Sequence, residues 1–386
     1  MFFHSKQRVS HVDNTNDQNR HRKRRWIMHT ARNIVLGINA AFVVFMLIVG
    51  YSDFANPIHF PMWSSMGLGF PVVAAINILF LLFWIVVQRR FALVSTAGLI
   101  LSFLPLYTYM PLNIPHTTPD NTLKVLSYNV NRFGGWEVRD IVVSPILNYI
   151  RDAKADIVCL QESSTTDIGQ WRVDKALNHT YIYHDTICVM PSLDCASLYS
   201  RYPIVGKERI PIESEYDICG AFRVKIGNDT VHVLSIHLET TSLSPDDKKN
   251  FSLLVHGQLN ADSTLHTSLR VTDKLVRSLR LRAKQADIVA SYIRKHKGEP
   301  IILCGDFNDN PISYVRRTIA NELNDCYLAS GNGPGISFHV NNIFVRIDNI
   351  MCSDHFTPHG CYVDQSIGNS DHYPIICQLS HTGSTE

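Results

Sequence analysis

The hydrophobic pattern divides the chain near residue 110. Upstream of that point, three long apolar stretches follow one another, at residues 34–50, 66–87 and 91–110. Each is close to the roughly 20 residues that a helix needs to cross the hydrocarbon core of a bilayer. The sequence therefore predicts three transmembrane helices within residues 32–110.

Short apolar runs that alternate with amphipathic segments replace the long stretches after residue 122. Runs of this kind, bounded by Gly, Pro or Asn, are typical of buried strands. They occur at residues 124–130, 157–160, 199–204, 222–226, 231–238, 301–306, 346–351 and 375–379. Residues 144–153 and much of 240–300 show helical periodicity instead, with Leu275, Leu279 and Ala283 on one face. The alternation predicts an α/β domain over residues 122–380, followed by a short tail at 381–386.

Charge is distributed as unevenly as hydrophobicity. Up to residue 110 there are ten Lys or Arg and three Asp or Glu, so the totals of 36 and 34 leave 26 and 31 downstream, a net charge of −5. Residues 1–31 carry a basic cluster at 20–25 without apolar periodicity, which predicts a disordered cytoplasmic tail, with a nucleic-acid-binding arm as the alternative. The acidic balance downstream argues against a broad basic surface for duplex DNA.

The same basic residues orient the predicted helices. The tail and the basic turn at residues 88–90 fall on one side of the membrane if all three segments span it, and the positive-inside rule makes that side cytoplasmic. A cleavable signal peptide is disfavoured because two further apolar stretches follow. The sequence predicts a multi-pass protein of a bacterial inner membrane. A linker at 111–121 would lead to an α/β domain in the periplasm or outside the cell.

Polar side chains follow the ends of several predicted strands. They are oxygen donors and imidazoles, namely Asn129, Glu162, His237, Asp306, Asn308, Asp348, Asp371 and His372. Strand ends are where open α/β sheets place their ligands, so we expect these groups to converge. Along an extended backbone, alternation would put Asp306 and Asn308 on the same side. Carboxylate and amide oxygens suit Mg²⁺, with Mn²⁺ as an alternative, and this predicts phosphate-ester cleavage.

The order of these residues resembles that of a known family. Along the chain come Asn129, the pair Gln161-Glu162, SRYPI at 200–204, His237, GDFN at 305–308, RID at 346–348 and SDHYP at 370–374. This order is similar to the endonuclease/exonuclease/phosphatase superfamily, which includes DNase I-like nucleases and bacterial sphingomyelinases. The resemblance covers about residues 123–379. It implies a DNase I-like four-layer α/β sandwich, two mixed β-sheets flanked by helices, here preceded by the three transmembrane helices.

The resemblance also implies a metal environment. Glu162 would be the main Mg²⁺ ligand, with Asn129 beside it and Asp371 at a position where the family has an acid near the metal. Asn131 stands where some members have an acid, which leaves the number of metal ions open.

The remaining matches imply catalytic roles. Asp306 would position or deprotonate the attacking water, and Asn308 would orient that water and a phosphate oxygen. His372 would contact the scissile phosphate while paired with Asp348, whose carboxylate would raise the pKa of the imidazole. His237 is a candidate to protonate the leaving oxygen or to stabilise the charged transition state.

The predicted function is a membrane-anchored, Mg²⁺-dependent phosphoesterase or phosphodiesterase that uses in-line attack of water. Its expected partners are a phosphate-ester substrate and the lipid bilayer, and no protein partner is predicted. An exported nuclease and a sphingomyelinase-like lipid phosphodiesterase are alternatives. From another class, a catalytically idle phosphate-binding module or a membrane scaffold stays open. The substrate is not predicted, because this family reuses one centre with different surrounding loops.

All nine cysteines lie after residue 122. Cys188 with Cys195, or Cys352 with Cys361, is spaced for a local disulfide in an oxidising compartment. An odd number of cysteines leaves at least one free thiol in a monomer.

Overall fold

The chain forms two units, each compact by itself. The computed structural model describes residues 4–114, 117–134, 144–190, 194–214, 217–241, 261–340 and 343–382. One unit comprises residues 1–49 and 69–103, and the other comprises residues 50–68 and 104–386. The second unit therefore contains the whole predicted α/β domain together with two segments from the apolar N-terminal region.

Long apolar helices build the first unit. Their bounds are His4–Gly50, Phe70–Val87 and Arg89–Leu101. Two helical stretches, Arg20–Gly50 and Pro61–Val87, are long and apolar enough to cross a membrane, and a third crossing results if the bent pair Arg89–Leu101 and Phe103–Tyr109 counts as one span. That pair bends by 60°. The first helix starts within the segment for which the sequence predicts a disordered tail.

Buried polar side chains connect the helices of this unit. Trp84 Nε1 donates to Asn39 Oδ1 at 3.0 Å, and Asn39 Nδ2 donates to Ser95 Oγ at 3.0 Å. Each of these three residues comes from a different helix. In apolar surroundings such hydrogen bonds help helices to associate, so Asn39, the one polar residue in its apolar stretch, acts as an interhelical contact.

The second unit is built around two mixed sheets. Within the part of the chain that the structure describes, the strands are β1 Leu123–Asn129, β2 Ile157–Gln161, β3 Tyr183–Cys188, β4 Cys195–Ser200, β5 Ile204–Ile210, β6 Cys219–Ile226, β7 Asp229–His237, β8 Ile301–Asp306, β9 Asn324–Asp325, β10 Asp348–Cys352, β11 Phe356–Val363 and β12 Ile375–His381. One sheet has the order β11-β12-β1-β2-β4-β3, and the other has the order β5-β6-β7-β8-β10-β9. The pairs β1–β2 and β7–β8 are parallel, and the other pairs are antiparallel.

Three apolar cores hold the sheets and helices in four layers. Side chains such as Val125 and Ile157 from one sheet meet Phe222, Val233 and Ile302 from the other in a core between the sheets. The outer face of each sheet is covered by helices. Among the described residues, the helices that lie wholly or mostly in this unit are Pro61–Ser64, Phe103–Tyr109, Asn131–Gly134, Pro145–Ala153, Gln170–Leu177, Ala261–Lys295, Tyr314–Ala320 and Cys326–Ser330, with 3-10 turns at Ser52–Phe54 and Ser65–Gly69. The predicted four-layer, DNase I-like sandwich is confirmed.

Several element boundaries differ from those that the sequence predicts. The single strand predicted at 199–204 is the end of β4, a turn and the start of β5, because Pro203 cannot continue a paired strand. Strands β3 and β11 are not predicted, since their burial pattern lacks a clear apolar run. In the predicted linker 111–121, Asn113 Nδ2 donates to Leu328 O at 3.0 Å and Gly333 N donates to Pro111 O at 3.0 Å.

Cysteine chemistry follows the sequence prediction in part. Cys188 and Cys195 form the predicted disulfide, which joins β3 to β4. Cys352 and Cys361 are free thiols instead, because Cys352 Sγ lies in the core between the sheets, 3.6 Å from Cys326 Sγ.

Gly305 permits the close approach of the strands that carry the polar groups. It pairs with Ile236 on β7 and with Asn349 on β10. A Cβ atom at this position would collide with the carbonyl oxygen of Ile236. We therefore expect Gly305→Ala to lower the free energy of unfolding by about 2–3 kcal/mol through overpacking, measured as the thermal midpoint of the full-length protein in one detergent.

Gly368→Ala is the matched control for this substitution. A Cβ atom at Gly368 meets no neighbouring atom within 4 Å, so its effect should stay below about 0.5 kcal/mol. Equal midpoints for the two variants would contradict the close approach at Gly305.

Candidate active site

Strand ends from both sheets meet at one edge of the sandwich. In the first sheet, Asn129 ends β1 opposite Gln161, so Glu162 follows directly beside it. In the second sheet, the register pairs Asp306 with His237 on one side and with Asp348 on the other. The topology thus brings together polar residues that are far apart in sequence.

Asp306 lies at the centre of this group. Its carboxylate is 1% exposed, and Oδ2 accepts a hydrogen bond from Asn129 Nδ2 at 3.2 Å. The same oxygen is 3.6 Å from His237 Nε2 and 3.5 Å from His372 Nε2. Asn129 Nδ2 also donates to Glu162 Oε1 at 3.0 Å, so one amide holds the two carboxylates side by side.

His372 is held from behind by Asp348. Its Nδ1 atom is 2.8 Å from Asp348 Oδ2, and both side chains are buried. The backbone N–H groups of Ile347 and Asp348 donate to Ser337 Oγ, which fixes the start of β10. Burial disfavours the charged imidazolium, but the Asp348 and Asp306 carboxylates outweigh it and raise the pKa of His372 to about 10. The predicted pairing of His372 with Asp348 is thus present in the structure.

His237 has two carboxylates behind it. Its Nδ1 atom is 3.2 Å from Asp194 Oδ2 and 3.5 Å from Asp217 Oδ1, while Nε2 is 3.7 Å from Glu162 Oε1. Burial opposes the charged form, but Asp217 and Asp194 raise the pKa of His237 well above its ordinary value. Burial also raises the pKa of Asp217 to about 7, against the effect of the His237 imidazole.

Sequence reasoning missed Asp194 and Asp217. Asp194 directly precedes β4, Asp217 lies two residues before β6, and neither belongs to a short motif. The pairing of Cys219 with Ile236 is what places the start of β6 beside His237. Only the sheet order and this register could have identified the two acids.

Asn308 lies close to the centre, but not as an alternating strand predicts. The strand β8 ends at Asp306, and Asn308 has a left-handed backbone with φ of 51°. Its N–H donates to Asp306 Oδ1 at 2.7 Å, and its Nδ2 donates to Leu238 O at 2.9 Å. The tight turn, rather than strand alternation, brings Asn308 back towards Asp306.

Asp371 lies beside the centre rather than within it. Its side chain is half-buried, and Oδ1 accepts a hydrogen bond from Ser370 Oγ at 3.3 Å. Its negative charge contributes to the raised pKa of the adjacent His372. Ser370 Oγ also donates to the carbonyl of Asn129 at 2.8 Å, which links this loop to the end of β1.

The donor set fits a hard divalent cation. Two groups have ligand atoms that all lie within 4.8 Å of one another, namely Asp306 with Asp348 and His372, and Asp194 with Asp217 and His237. Among the described side chains, Asp348 Oδ1 is buried without a hydrogen-bond partner. Adjacent carboxylates with oxygen lone pairs to spare are the ligands that Mg²⁺ prefers. The site can therefore hold a metal, although the donors alone do not identify it.

Several solved structures resemble the chain at low sequence identity. The human Nocturnin catalytic domain is 18% identical with a TM-score of 0.49, covering 68% of this chain and 95% of that one. An endonuclease/exonuclease/phosphatase from Beutenbergia cavernae is also 18% identical with a TM-score of 0.49, covering 67% and 72%. An endonuclease/exonuclease/phosphatase family protein from Bacteroides thetaiotaomicron is 19% identical with a TM-score of 0.46, covering 68% and 98%. No curated protein matches the chain significantly.

Family models match both parts of the chain. A domain of unknown function (DUF8431) matches residues 32–109. The model described as "Endonuclease/Exonuclease/phosphatase family" matches residues 126–372, well over half of the chain. This range includes each of the polar residues that the strand ends bring together. The chain belongs to the endonuclease/exonuclease/phosphatase family and is a hydrolase that acts on phosphate esters.

Proposed function

We propose that the protein is a membrane-anchored, metal-dependent phosphodiesterase. One observation carries this proposal: two imidazoles, each with a carboxylate at Nδ1, turn their Nε2 atoms towards the same carboxylate of Asp306. A phosphate group bound over Asp306 would meet two cationic donors at once. Such preorganised donors stabilise the charge that develops on a phosphorus centre during displacement.

Asp306 is the proposed acceptor for the proton of the attacking water. Burial raises the pKa of Asp306 to about 6, although the His372 imidazole opposes the rise. A carboxylate with this pKa is ionised at neutral pH and is a stronger base than an ordinary aspartate. Asn308, held by its bond to Leu238 O, would orient the water and a phosphate oxygen.

The two histidines would stabilise negative charge at different places on the reacting phosphate ester. His372 would donate to a non-bridging phosphate oxygen, because Asp348 keeps its imidazole protonated. His237 would donate to the leaving oxygen or to the transition state, with Asp194 and Asp217 holding its ring in place. Removal of either Asp194 or Asp217 would both loosen the position of the His237 ring and lower the fraction of the ring that is protonated.

Mg²⁺ is the proposed metal, with Mn²⁺ as an alternative. Glu162 would be its main ligand, with Asn129 and Asp371 completing the surroundings. When bound, the ion would neutralise phosphate charge and orient the substrate. Glu162 has a side chain that is 33% exposed, more than Asp306 or either histidine, so it is accessible to an ion entering from solvent.

Three helical spans would anchor the domain, with the N-terminus in the cytoplasm and the catalytic domain in the periplasm or outside the cell. The basic residues at 20–25 and 89–90 support this orientation. The disulfide between Cys188 and Cys195 supports an oxidising compartment. Protease added to intact spheroplasts should therefore digest the catalytic domain, whereas digestion only after lysis would contradict the orientation.

Activity should require both the metal and Asp306. We expect the full-length protein in detergent to hydrolyse bis(p-nitrophenyl) phosphate with Mg²⁺ and to lose this activity in EDTA. Asp306→Asn should lower kcat/KM by at least about 1,000-fold, since it removes the base and an anionic contact of both imidazoles.

Asp167→Asn, at an exposed position outside the site, is the matched control and should retain activity within about twofold. If wild type and Asp306→Asn were equally inactive on every phosphate ester while the protein still bound phosphate, a binding module would replace the enzyme.

The pH profile should respond to Asp348 in a defined direction. Asp348 raises the pKa of His372, so Asp348→Asn should let that pKa fall towards the ordinary value near 6.5. Protonated His372 would then be lost at lower pH, and the alkaline fall in kcat/KM should move down by at least about one pH unit. A uniform loss at all pH values would show that Asp348 only positions the ring.

A further inference from the structure

The chain between the helices His4–Gly50 and Phe70–Val87 is folded onto the α/β domain. Asn56 Nδ2 donates to Tyr314 Oη at 3.4 Å, and Arg317 lies over the ring of Phe54. At Gly67 the backbone is so close to Ile312 that a Cβ atom would collide with the Ile312 carbonyl oxygen. The contacted residues, 312–317, follow the GDFN turn directly.

A second segment, which follows the helix Arg89–Leu101, packs beside the first. Tyr109 Oη donates to the carbonyl of Gly67 at 3.0 Å and so joins the two segments. Arg346 Nη2 donates to the carbonyl of Thr108 at 2.6 Å, and its Nη1 donates to Pro334 O at 3.0 Å. Arg346 is buried and lies two residues before Asp348. We call residues 51–68 and 104–114 together the collar.

The collar thus contacts the chain shortly after the GDFN turn and the chain shortly before Asp348. One contact lies after Asp306 and Asn308, and the other lies before Asp348. Both parts of the collar overlap candidate spans, because residues 61–68 belong to the stretch Pro61–Val87 and residues 104–109 belong to the bent pair that ends at Tyr109. The reactive centre is therefore built on chain that must stay close to the bilayer surface if those helices span.

Large apolar side chains cover the outside of the collar. Phe60 is 57% exposed, Met62 is 58% exposed and Leu68 is 52% exposed, and Leu104, Met110, Leu112 and Ile114 are exposed as well. Apolar side chains gathered in this way mark a surface that contacts a partner or a membrane. Here the adjoining spans would place the surface at the boundary between head groups and acyl chains, where aromatic side chains are favoured.

We propose that the collar seats the catalytic domain on the bilayer and that the substrate is a phosphodiester in the head group of a membrane lipid. This inference rests on the proposed phosphodiesterase function. Charge supports a lipid over a nucleic acid, since residues 111–386 carry 26 basic and 31 acidic side chains. A polyanion of many phosphates needs an extended cationic track, whereas a single head group needs only the two imidazoles and the metal.

The experiment compares one lipid surface with one soluble diester. Full-length protein is reconstituted into nanodiscs of phosphatidylethanolamine, phosphatidylglycerol and phosphatidylcholine, and lipid products are measured by mass spectrometry. Bis(p-nitrophenyl) phosphate is measured in the same sample. We expect Mg²⁺-dependent cleavage of a lipid head group that Asp306→Asn abolishes. The double variant Phe60→Asp/Met62→Asp should lower the ratio of lipid to soluble rates at least fivefold.

Ile182→Asp is the matched control, because Ile182 is an exposed apolar residue outside the collar. It should leave the ratio of rates unchanged, and thermal midpoints should show that all variants are folded. An unchanged ratio in the collar variant would overturn the inference, as would intact lipids alongside cleaved single-stranded DNA. Absence of any bis(p-nitrophenyl) phosphate hydrolysis by the wild type would instead overturn the proposed function.

Discussion

The contacts made by one buried carboxylate govern the candidate site. Asp306 is nearly inaccessible to water, and removing a carboxylate from water costs several kcal/mol unless other groups compensate. Asn129 provides a hydrogen bond, and His237 and His372 provide positive charge. The imidazoles are buried too, and they keep their protons only because of the acids around them. Charge in this part of the protein is therefore mutually dependent, and each group sets the protonation of the next.

The sheets make this arrangement possible. β8 lies between β7 and β10, so a single register line carries His237, Asp306 and Asp348. Asn129 and Glu162 arrive from the other sheet across the core. Because apolar side chains from both sheets interlock in that core, the separation of the two groups is fixed by packing.

Sequence patterns could predict the strands that carry motifs and the residues at their ends. Asp306 ends one predicted strand, Asp348 lies in another and His372 comes just before a third, and their joint order identifies the family. Asp194 and Asp217 could not be found in this way, because nothing nearby in sequence distinguishes them from other acids at strand starts. Asp217 lies beside His237 because β6 pairs with β7, whereas Asp194 comes from the start of β4 in the other sheet. Both placements are properties of the sheets and not of a local pattern.

Backbone detail was also beyond the sequence. Strand alternation does not predict the left-handed turn at Asn308. In this turn the backbone N–H of Asn308 donates to Asp306 Oδ1, and that hydrogen bond keeps Asn308 close to Asp306. The collar was hidden for a different reason. Its sequence has the composition expected at the end of any membrane span. Only the folded structure shows that these residues contact the α/β domain.

The hydrogen bond between Arg346 and Thr108 bears on whether the α/β domain can be separated from the chain that precedes it. Cutting the chain at residue 111 would remove the Thr108 carbonyl and leave one end of a buried guanidinium without its acceptor. Leaving such a donor unsatisfied typically destabilises a fold by about 1–3 kcal/mol or more. The unsatisfied guanidinium would lie two residues from Asp348 in the sequence. A fragment that begins after the apolar helices would therefore lose a buried contact next to the candidate site that the full chain retains.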